Sequence, residues 1–349
     1  MNAFKSFRTA AFVGVALAFG ASAQANQKVC VYDLLGSSGD VFNQAKDYAL
    51  EMQKNGAQIE LKAYTDERVA TEDFRTGQCD GVMAMGFRTR QFNSVSASID
   101  TLGSTTILRN GKIDMDGSYE VVRRVIQTFA RPEAAKLMVE GKYEVAGILP
   151  MGAAYPVVND RKINSVEALA GKKIAAFDYD KAQAVMIQKI GAQPISADVS
   201  NFSTKFNNGS VDFVAAHALA YKPLELYKGV GKKGAVVRFP ILILSYQMVI
   251  NQAKFPAGFG QKSREYWSSN FDRAKKVIDA AELSIPNETW MDLTAQDGNK
   301  YTLMLRESRI DIAKQGLYNK TGLKVLKRVR CSVNAADAEC ATKSEEEWQ

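Results

Sequence analysis

The chain has 349 residues and a formal net charge of +7, with 24% charged and 46% hydrophobic residues. The basic excess is modest and spread along the sequence, and the basic clusters at 232–233 and 324–330 contain no interleaved aromatic residues. This pattern is typical of a solvated surface and argues against nucleic-acid binding. The length is sufficient for two domains.

The first 25 residues have the pattern of a secretory signal peptide. Lys5 and Arg8 precede an apolar run at 10–19, and two overlapping A-x-A cleavage sites follow at 21–23 and 23–25. The run of roughly 10 apolar residues is too short to span a bilayer, and no later run approaches the ~20 residues that a spanning helix needs. We therefore expect a cleaved signal and a soluble protein in the periplasm.

All four cysteines lie after this segment, and export implies an oxidising compartment in which disulfides persist. Cys30 and Cys79 each open a predicted strand, and these strands are neighbours in a parallel sheet of order 2-1-3. We therefore predict the pairs Cys30 with Cys79 and Cys331 with Cys340. A zinc site is the weaker interpretation, because there is no C-x-x-C motif and His217 is the single histidine. No metal and no cofactor are expected.

The first half of the chain alternates predicted strands and helices. These are a strand at 28–33, a helix at 41–52, a strand at 59–64, a short helix at 71–76 and a strand at 82–86. Three strands with helical crossovers form one half of a doubly wound sheet. Gly36 and Gly39 suggest a phosphate-binding loop, but the lysine and Ser/Thr that complete such a loop are missing.

A second alternating unit follows further along the chain. The predicted elements are helices at 118–129 and 132–141, a strand at 144–149, a short helix at 165–170, a strand at 173–177, a helix at 181–190, a strand at 211–215, a β-rich stretch at 238–251, and helices at 261–283 and 301–318. We predict lobe 1 at 26–156, lobe 2 at 157–245, a mostly helical return segment at 246–330, and a tail at 331–349 that is poorly ordered beyond its local disulfide.

Candidate ligand contacts lie mainly at the carboxyl ends of predicted strands, where open α/β sheets hold their ligands. They are Ser37, Ser38, Asp40, Arg88, Tyr155, Asp178, Tyr179, Asp180 and Asp212.

Each of these candidates also has a purely structural interpretation. Asp178 and Asp180 could bind an amine beside the ring of Tyr179, but Asp180 could equally cap the helix that follows it. Asp40 could also be an N-cap. Arg88 and Arg90 could form an anion site or be solvated loop residues.

His217 is the obvious candidate for a catalytic base. A catalytic triad also needs a nucleophile and an orienting acid within mutual reach, and the chain has no nucleophile-elbow motif and no metal-ligand cluster. We therefore expect a protein that is not an enzyme.

Three motifs occur in a familiar order: GQCD at 77–80, SVEALAGKKIA at 165–175 and GSVDF at 209–213. Through them, residues 28 to about 290 resemble the binding proteins of tripartite ATP-independent periplasmic (TRAP) transporters. The whole chain is also similar to a bacterial family labelled RND-type efflux proteins involved in aminoglycoside resistance. The resemblance implies an α/β fold of the periplasmic-binding-protein type (type II-like), with a mainly parallel sheet in each of two lobes that are joined by a hinge.

The chain departs from the TRAP pattern at the ligand site. In that class, arginines clamp the substrate carboxylate, whereas the matching positions here are Ala175 and Ala153 or Ala154. Loss of a bidentate arginine clamp removes the main reason to expect an organic acid. We therefore expect a neutral or cationic solute.

Two functional hypotheses follow. The first is a monomeric periplasmic solute-binding protein that delivers a small solute to a membrane transporter. The second is a non-catalytic accessory protein, associated with an efflux component or the envelope and with aminoglycoside resistance, that has lost solute binding. Nothing in the sequence supports a pump that itself spans the membrane.

Overall fold

The computed structural model describes residues 26–348, and the predicted signal peptide lies outside the described residues. The strands are β1 Gln27–Tyr32, β2 Ile59–Tyr64, β3 Gly81–Met85, β4 Ile107–Arg109, β5 Lys112–Asp114, β6 Val139–Glu140, β7 Tyr143–Val158, β8 Lys173–Phe177, β9 Gln193–Ala197, β10 Phe213–Ala216, β11 Ala235–Val237, β12 Leu242–Asn251 and β13 Trp290–Met291.

The α-helices are α1 Asp40–Gln53, α2 Glu67–Arg75, α3 Gly86–Thr89, α4 Met115–Ala130, α5 Lys181–Lys189, α6 Phe202–Asn207, α7 Ala218–Tyr221, α8 Leu226–Val230, α9 Phe259–Ser269, α10 Phe271–Leu283, α11 Ala295–Lys314 and α12 Lys320–Val333. Short 3-10 helices lie at Gly36–Ser38, Ser96–Asp100, Pro132–Met138, Glu167–Leu169, Gln252–Lys254, Asn287–Thr289 and Ala338–Ala341.

The first lobe is built on a parallel trio of strands in the order β2-β1-β3, as predicted. The central strand β1 is a nearly continuous buried run, which is typical of a strand covered on both faces. Helix α2 begins where the side chain of Asp66 accepts hydrogen bonds from the backbone amides of Arg68 and Val69. Both the strands and the crossovers of this half match the sequence prediction.

The second lobe repeats the arrangement with the trio β10-β8-β9. Its central strand β8 is followed by α5, whose first turn is capped by Asp180. The predicted strand at 211–215 is observed as β10, and the predicted helix at 165–170 is the 3-10 helix Glu167–Leu169.

Two long antiparallel strands join the lobes into one eleven-stranded sheet. Strand β12 pairs with β3 and, along its whole length, with β7, which in turn pairs with β10. The ladder between β7 and β12 is irregular at Leu244/Ser245 and at Met248/Val249. Gly152, opposite Leu244, has φ +121°, a conformation that side chains rarely adopt. The predicted lobe boundary at 156 and 157 falls inside β7.

Two predicted helices differ from the structure. The segment predicted as a helix at 132–141 is a 3-10 helix over Pro132–Met138, followed by β6, which folds back on β7 through Gly141. The helix predicted at 261–283 is two helices, α9 and α10. Asn270 separates them because its side chain and its amide both bond the carbonyl of Tyr266, which ends α9.

The prediction of a poorly ordered tail is wrong for residues up to 348. Glu339 and Glu345 are buried, and their carboxylates pair with the guanidinium groups of Arg309 in α11 and Arg330 in α12. The tail is therefore held by four charges that neutralise one another in the interior.

Both predicted disulfides are present, Cys30 with Cys79 and Cys331 with Cys340. The first pair is close because Cys30 lies opposite Val82 in the ladder between β1 and β3, and Cys79 comes just before β3. The second ties the end of α12 to the tail.

Candidate functional site

The carboxyl ends of the parallel strands in both lobes face a common apolar cavity. Its walls come from β1 and β3 in the first lobe, from β8, β10, α5 and α7 in the second lobe, and from the crossing strands β7 and β12. The cavity has a volume of about 80 Å³, within about 920 Å³ of space between protein atoms that is partly open to solvent. The site is therefore a narrow one.

The cavity wall is almost entirely hydrophobic. The lining residues include Tyr32, Leu34, Met85, Phe87, Ala154, Ala175, Phe177, Gln183, Met186, Phe202, Ala215, His217, Leu244 and Tyr318. Among the described residues, those that line the cavity include no Asp, Glu, Lys or Arg. Solute binding here would depend mainly on apolar burial.

Ion pairs connect the two lobes beside this cavity. Arg88, which follows the lining residue Phe87, donates from Nη2 to Oδ2 of Asp198 at 3.1 Å. Arg90 donates from Nη1 to Oδ1 of Asp180 at 3.0 Å and from Nη2 to the carbonyl of Asp100 at 3.1 Å. We refer to Arg88–Asp198 and Arg90–Asp180 as the interlobe ion pairs. They link the two lobes beside the cavity.

The first interlobe ion pair belongs to a larger buried group. The ring of Tyr179 lies over the guanidinium group of Arg88, with 3.4 Å between the guanidinium carbon and the ring centre. Glu67 lies on the other side, with Oε2 3.7 Å from Nε of Arg88 and Oε1 accepting a hydrogen bond from the amide of Met85. Burial raises the pKa of Glu67 to about 8, although the Met85 bond and Arg88 act in the opposite direction. Glu67 is therefore largely protonated at neutral pH.

His217 forms part of the cavity wall at the start of α7 and is 7% exposed. Its Nδ1 atom has no hydrogen-bond partner among the described residues. Burial lowers the pKa of the imidazole to about 4, so the ring is neutral at pH 7.

Comparison with known proteins identifies the family to which this chain belongs. Residues 50–345 match the family described as Solute-binding protein AdeT 1/2. The chain belongs to this family. It is 45% identical over 315 residues to a protein of Acinetobacter baumannii named probable solute-binding protein AdeT1, a match that covers 90% of this chain and all of that protein. A second relative from the same organism, probable solute-binding protein AdeT2, is 27% identical over 62% of this chain and 92% of its own.

Solved structures show that this AdeT 1/2 family member has the fold of TRAP periplasmic solute-binding proteins. One from Desulfovibrio salexigens with bound orotic acid superposes with a TM-score of 0.67 at 13% identity, over 88% of this chain and 99% of that chain. The ectoine-binding protein of the TeaABC TRAP transporter of Halomonas elongata superposes with a TM-score of 0.66 at 15% identity, over 89% and 100% of the two chains. The predicted fold class is confirmed, and the family is one of solute-binding proteins.

The structure places two of the alanines noted in the sequence directly on the cavity wall. Ala175, in the middle of β8, and Ala154, in β7, both line the cavity. At these positions the TRAP resemblance predicts arginines that bind a carboxylate. In this family member those positions are apolar.

The nine residues predicted from the sequence as ligand contacts do not line this cavity. Ser37, Ser38, Asp40 and Asp178 are exposed. Helix α1 is capped by Asp33 and not by Asp40, because the Asp33 carboxylate accepts hydrogen bonds from the amides of Val41 and Phe42. Asp33 was not predicted from the sequence as the cap of α1.

The remaining predicted contacts bind other protein groups. Arg88, Tyr179 and Asp180 are brought together, but they take part in the interlobe contacts, and Asp180 also caps α5. Tyr155 donates to Glu282 at 3.0 Å. Asp212 bonds the amide of Lys173 at the amino end of β8, the opposite end from the cavity.

Two other features are absent from residues 26–348. No group of three or more His, Cys, Asp or Glu side chains in this range could hold a metal ion. None of the helices in this range combines the length and the apolar character that a membrane-spanning helix needs.

Proposed function

We propose that this protein is a monomeric periplasmic solute-binding protein that encloses a small solute between its lobes and presents the closed form to a membrane transporter. The observation that carries the proposal is the cavity at the carboxyl ends of the parallel strands of both lobes, in a chain of a solute-binding family. Ligands of open α/β sheets bind at this edge. Strands β7 and β12 are the segments that bend when the lobes move.

Of the two solute classes expected from the sequence, the geometry favours a neutral solute. Two carboxylates near the cavity that could attract a cation already have partners, since Asp180 pairs with Arg90 and Asp198 with Arg88, and Asp178 is exposed to solvent outside the cavity wall. Arg88 and Arg90 are the other members of these pairs, so neither guanidinium group is free to bind an anion. A multiply charged aminoglycoside is accordingly not the expected solute.

The test combines a thermal-shift screen with small-angle X-ray scattering on the mature protein. The screen includes neutral solutes, organic acids, amino acids, polyamines and aminoglycosides. A solute at 100 times its Kd stabilises the fold by about 2.7 kcal/mol, which raises the Tm by several degrees. The radius of gyration should then decrease with the same solute. A stabilising solute that leaves the scattering curve unchanged would argue against closure.

A second candidate function is an accessory role without solute binding. The observation that favours it is that the interlobe ion pairs and Tyr179 join the two lobes through the protein's own side chains. This role predicts a screen without any stabilising solute and an affinity pull-down that recovers membrane efflux components. A single stabilising solute that also compacts the protein would exclude it.

A further inference from the structure

We propose that the solute is an uncharged, mostly apolar molecule with one hydrogen-bonding group, and that His217 binds this group. The inference rests on the proposed function, because it concerns the same cavity. It assigns a ligand chemistry different from the carboxylates that several solved structures of this fold contain, such as orotic acid.

The first argument is the charge of the cavity wall. Among the described residues, those that line the cavity carry no Asp, Glu, Lys or Arg side chain. A charged ligand placed there would lose its hydration without gaining a partner of opposite charge, which is strongly unfavourable. Arg88 and Arg90 do not offer that partner, because each is bound to a carboxylate of the other lobe.

The second argument is that apolar side chains on both lobes remain only partly covered. Phe87 of the first lobe and Phe177 of the second are half-buried, and their ring centres lie 6.4 Å apart in an edge-to-face arrangement. Ala215 is exposed although it lies in β10, inside the sheet, and it lines the cavity. An apolar ligand would cover these surfaces from both lobes at once, and so would favour the closed form.

The third argument is an unpartnered polar group in this wall. His217 lines the cavity and is 7% exposed, and its Nδ1 atom has no hydrogen-bond partner among the described residues. Nδ1 is itself covered, so a ligand group would reach it when the lobes open. A buried polar atom without a partner is costly, and a ligand that supplies one recovers that cost. A neutral imidazole nitrogen can accept or donate a hydrogen bond according to its tautomer. A hydroxyl or amide on the ligand suits either case.

The experiment uses N-phenyl-1-naphthylamine, an uncharged apolar dye with one N–H group whose fluorescence rises in apolar surroundings. The mature protein is titrated with the dye at pH 7, and the bound dye is then displaced by octan-1-ol, octanoate or octylammonium. These three competitors share one alkyl chain and differ in the charge of the head group. Octan-1-ol should displace the dye at a concentration about tenfold lower than either ion does, because only the ions pay for desolvation of a charge. Equal displacement by all three would overturn the proposal.

Two pairs of variants locate the site. Ala215→Trp fills the cavity from an exposed position and should weaken dye binding by about tenfold or more, whereas Ala335→Trp, on the exposed tail, should not. His217→Leu should weaken octan-1-ol binding by about three- to tenfold, and His217→Gln, which keeps a hydrogen-bonding group, should restore most of the affinity. Unchanged dye binding in Ala215→Trp would place the dye elsewhere and overturn the assignment.

A parallel thermal shift with malonate and galacturonate separates this inference from the proposed function. Stabilisation by either acid, without an effect of octan-1-ol, would overturn the apolar assignment and leave solute binding intact. If neither the acids, the alcohol nor the dye binds, the apolar assignment fails, and the thermal-shift screen of the remaining solute classes decides the proposed function. Stabilisation by octan-1-ol alone supports both.

Discussion

The guanidinium group of Arg88 lies 3.1 Å from the carboxylate of Asp198, and the two residues belong to opposite lobes. Both side chains are largely buried. Removing one partner of a buried pair leaves the other charge uncompensated, at a cost of about 3–5 kcal/mol. Asp198→Asn should therefore shift the protein toward an open form in which Arg88 is hydrated, with a larger radius of gyration in X-ray scattering.

The matched control for this prediction is an exposed ion pair. Glu72 and Arg75 interact on the surface of α2, so Glu72→Gln should change the scattering curve and the Tm very little. The double variant Arg88→Gln/Asp198→Asn should be less destabilised than the sum of the single variants. Scattering by Asp198→Asn identical to that of the wild type would show that this pair does not hold the lobes together.

The second prediction concerns the lost arginine clamp. Ala175→Arg should lower the Tm in the absence of ligand, because it places a charge in an apolar wall without a partner. Malonate or galacturonate should then raise the Tm of the variant by several degrees, since a carboxylate pairs with guanidinium in a bidentate manner. The wild type and Ala170→Arg, at an exposed position, should not respond. A variant that the acids leave unstabilised would mean that Ala175 does not face the bound solute.

The sequence predicted the fold better than the site because the two depend on different kinds of information. Strand and helix periodicity and glycine stops are local, so the first parallel trio and strands β8 and β10 of the second were predicted, whereas β9 was not. The partners of polar side chains are not local, and Arg90 and Asp180 are 90 positions apart. Arg88 and Asp180 were therefore predicted as ligand contacts although each pairs with a charged residue of the other lobe. The loss of the clamp arginine at Ala175 could be predicted, because the motif around Ala175 aligns this position with the arginine of the TRAP class.

The third prediction concerns pH and Glu67. Its pKa is raised in the folded protein from 4.5 to about 8, mainly by burial, so the folded state binds the proton more tightly than the unfolded state. Stability from this group is complete below pH 4.5 and is lost as the pH rises toward 8, by at most about 1.4 kcal/mol per pH unit. Glu67→Gln should remove this decline.

The measurement is urea unfolding of the wild type and Glu67→Gln between pH 4.5 and 8.5. The difference between the two curves isolates Glu67 from other titrating groups. Asp100, whose pKa burial raises to about 7, acts in the same direction, whereas His217, whose pKa burial lowers to about 4, acts in the opposite direction between pH 4 and 6.5. A pH-independent difference would show that Glu67 titrates normally.

The fourth prediction compares the two disulfides. Cys30 and Cys79 are 49 positions apart, and Cys331 and Cys340 are 9 apart. Chain-entropy arguments give about 4 kcal/mol for the longer loop and roughly 2.7 kcal/mol for the shorter one. Double alanine replacement of the first pair should therefore lower the Tm more than replacement of the second. The reverse order would indicate that the tail contributes more to stability than loop length implies.

The last prediction concerns the buried charges that hold the tail. Burial raises the pKa of Glu345, but the charges of Arg309 and Arg330 outweigh burial and lower it to about 2. The stability from this group is present above pH 4.5 and is lost as the pH falls toward 2.

Glu345→Gln leaves two buried guanidinium groups with Glu339 as their one remaining carboxylate partner in the cluster, so urea unfolding at pH 7 should show a loss of roughly 3 kcal/mol. Glu347→Gln, at an exposed position paired only with Lys343 on the surface, should change stability by less than about 0.5 kcal/mol. Equal effects of the two variants would mean that the tail carries no buried charge pair in solution.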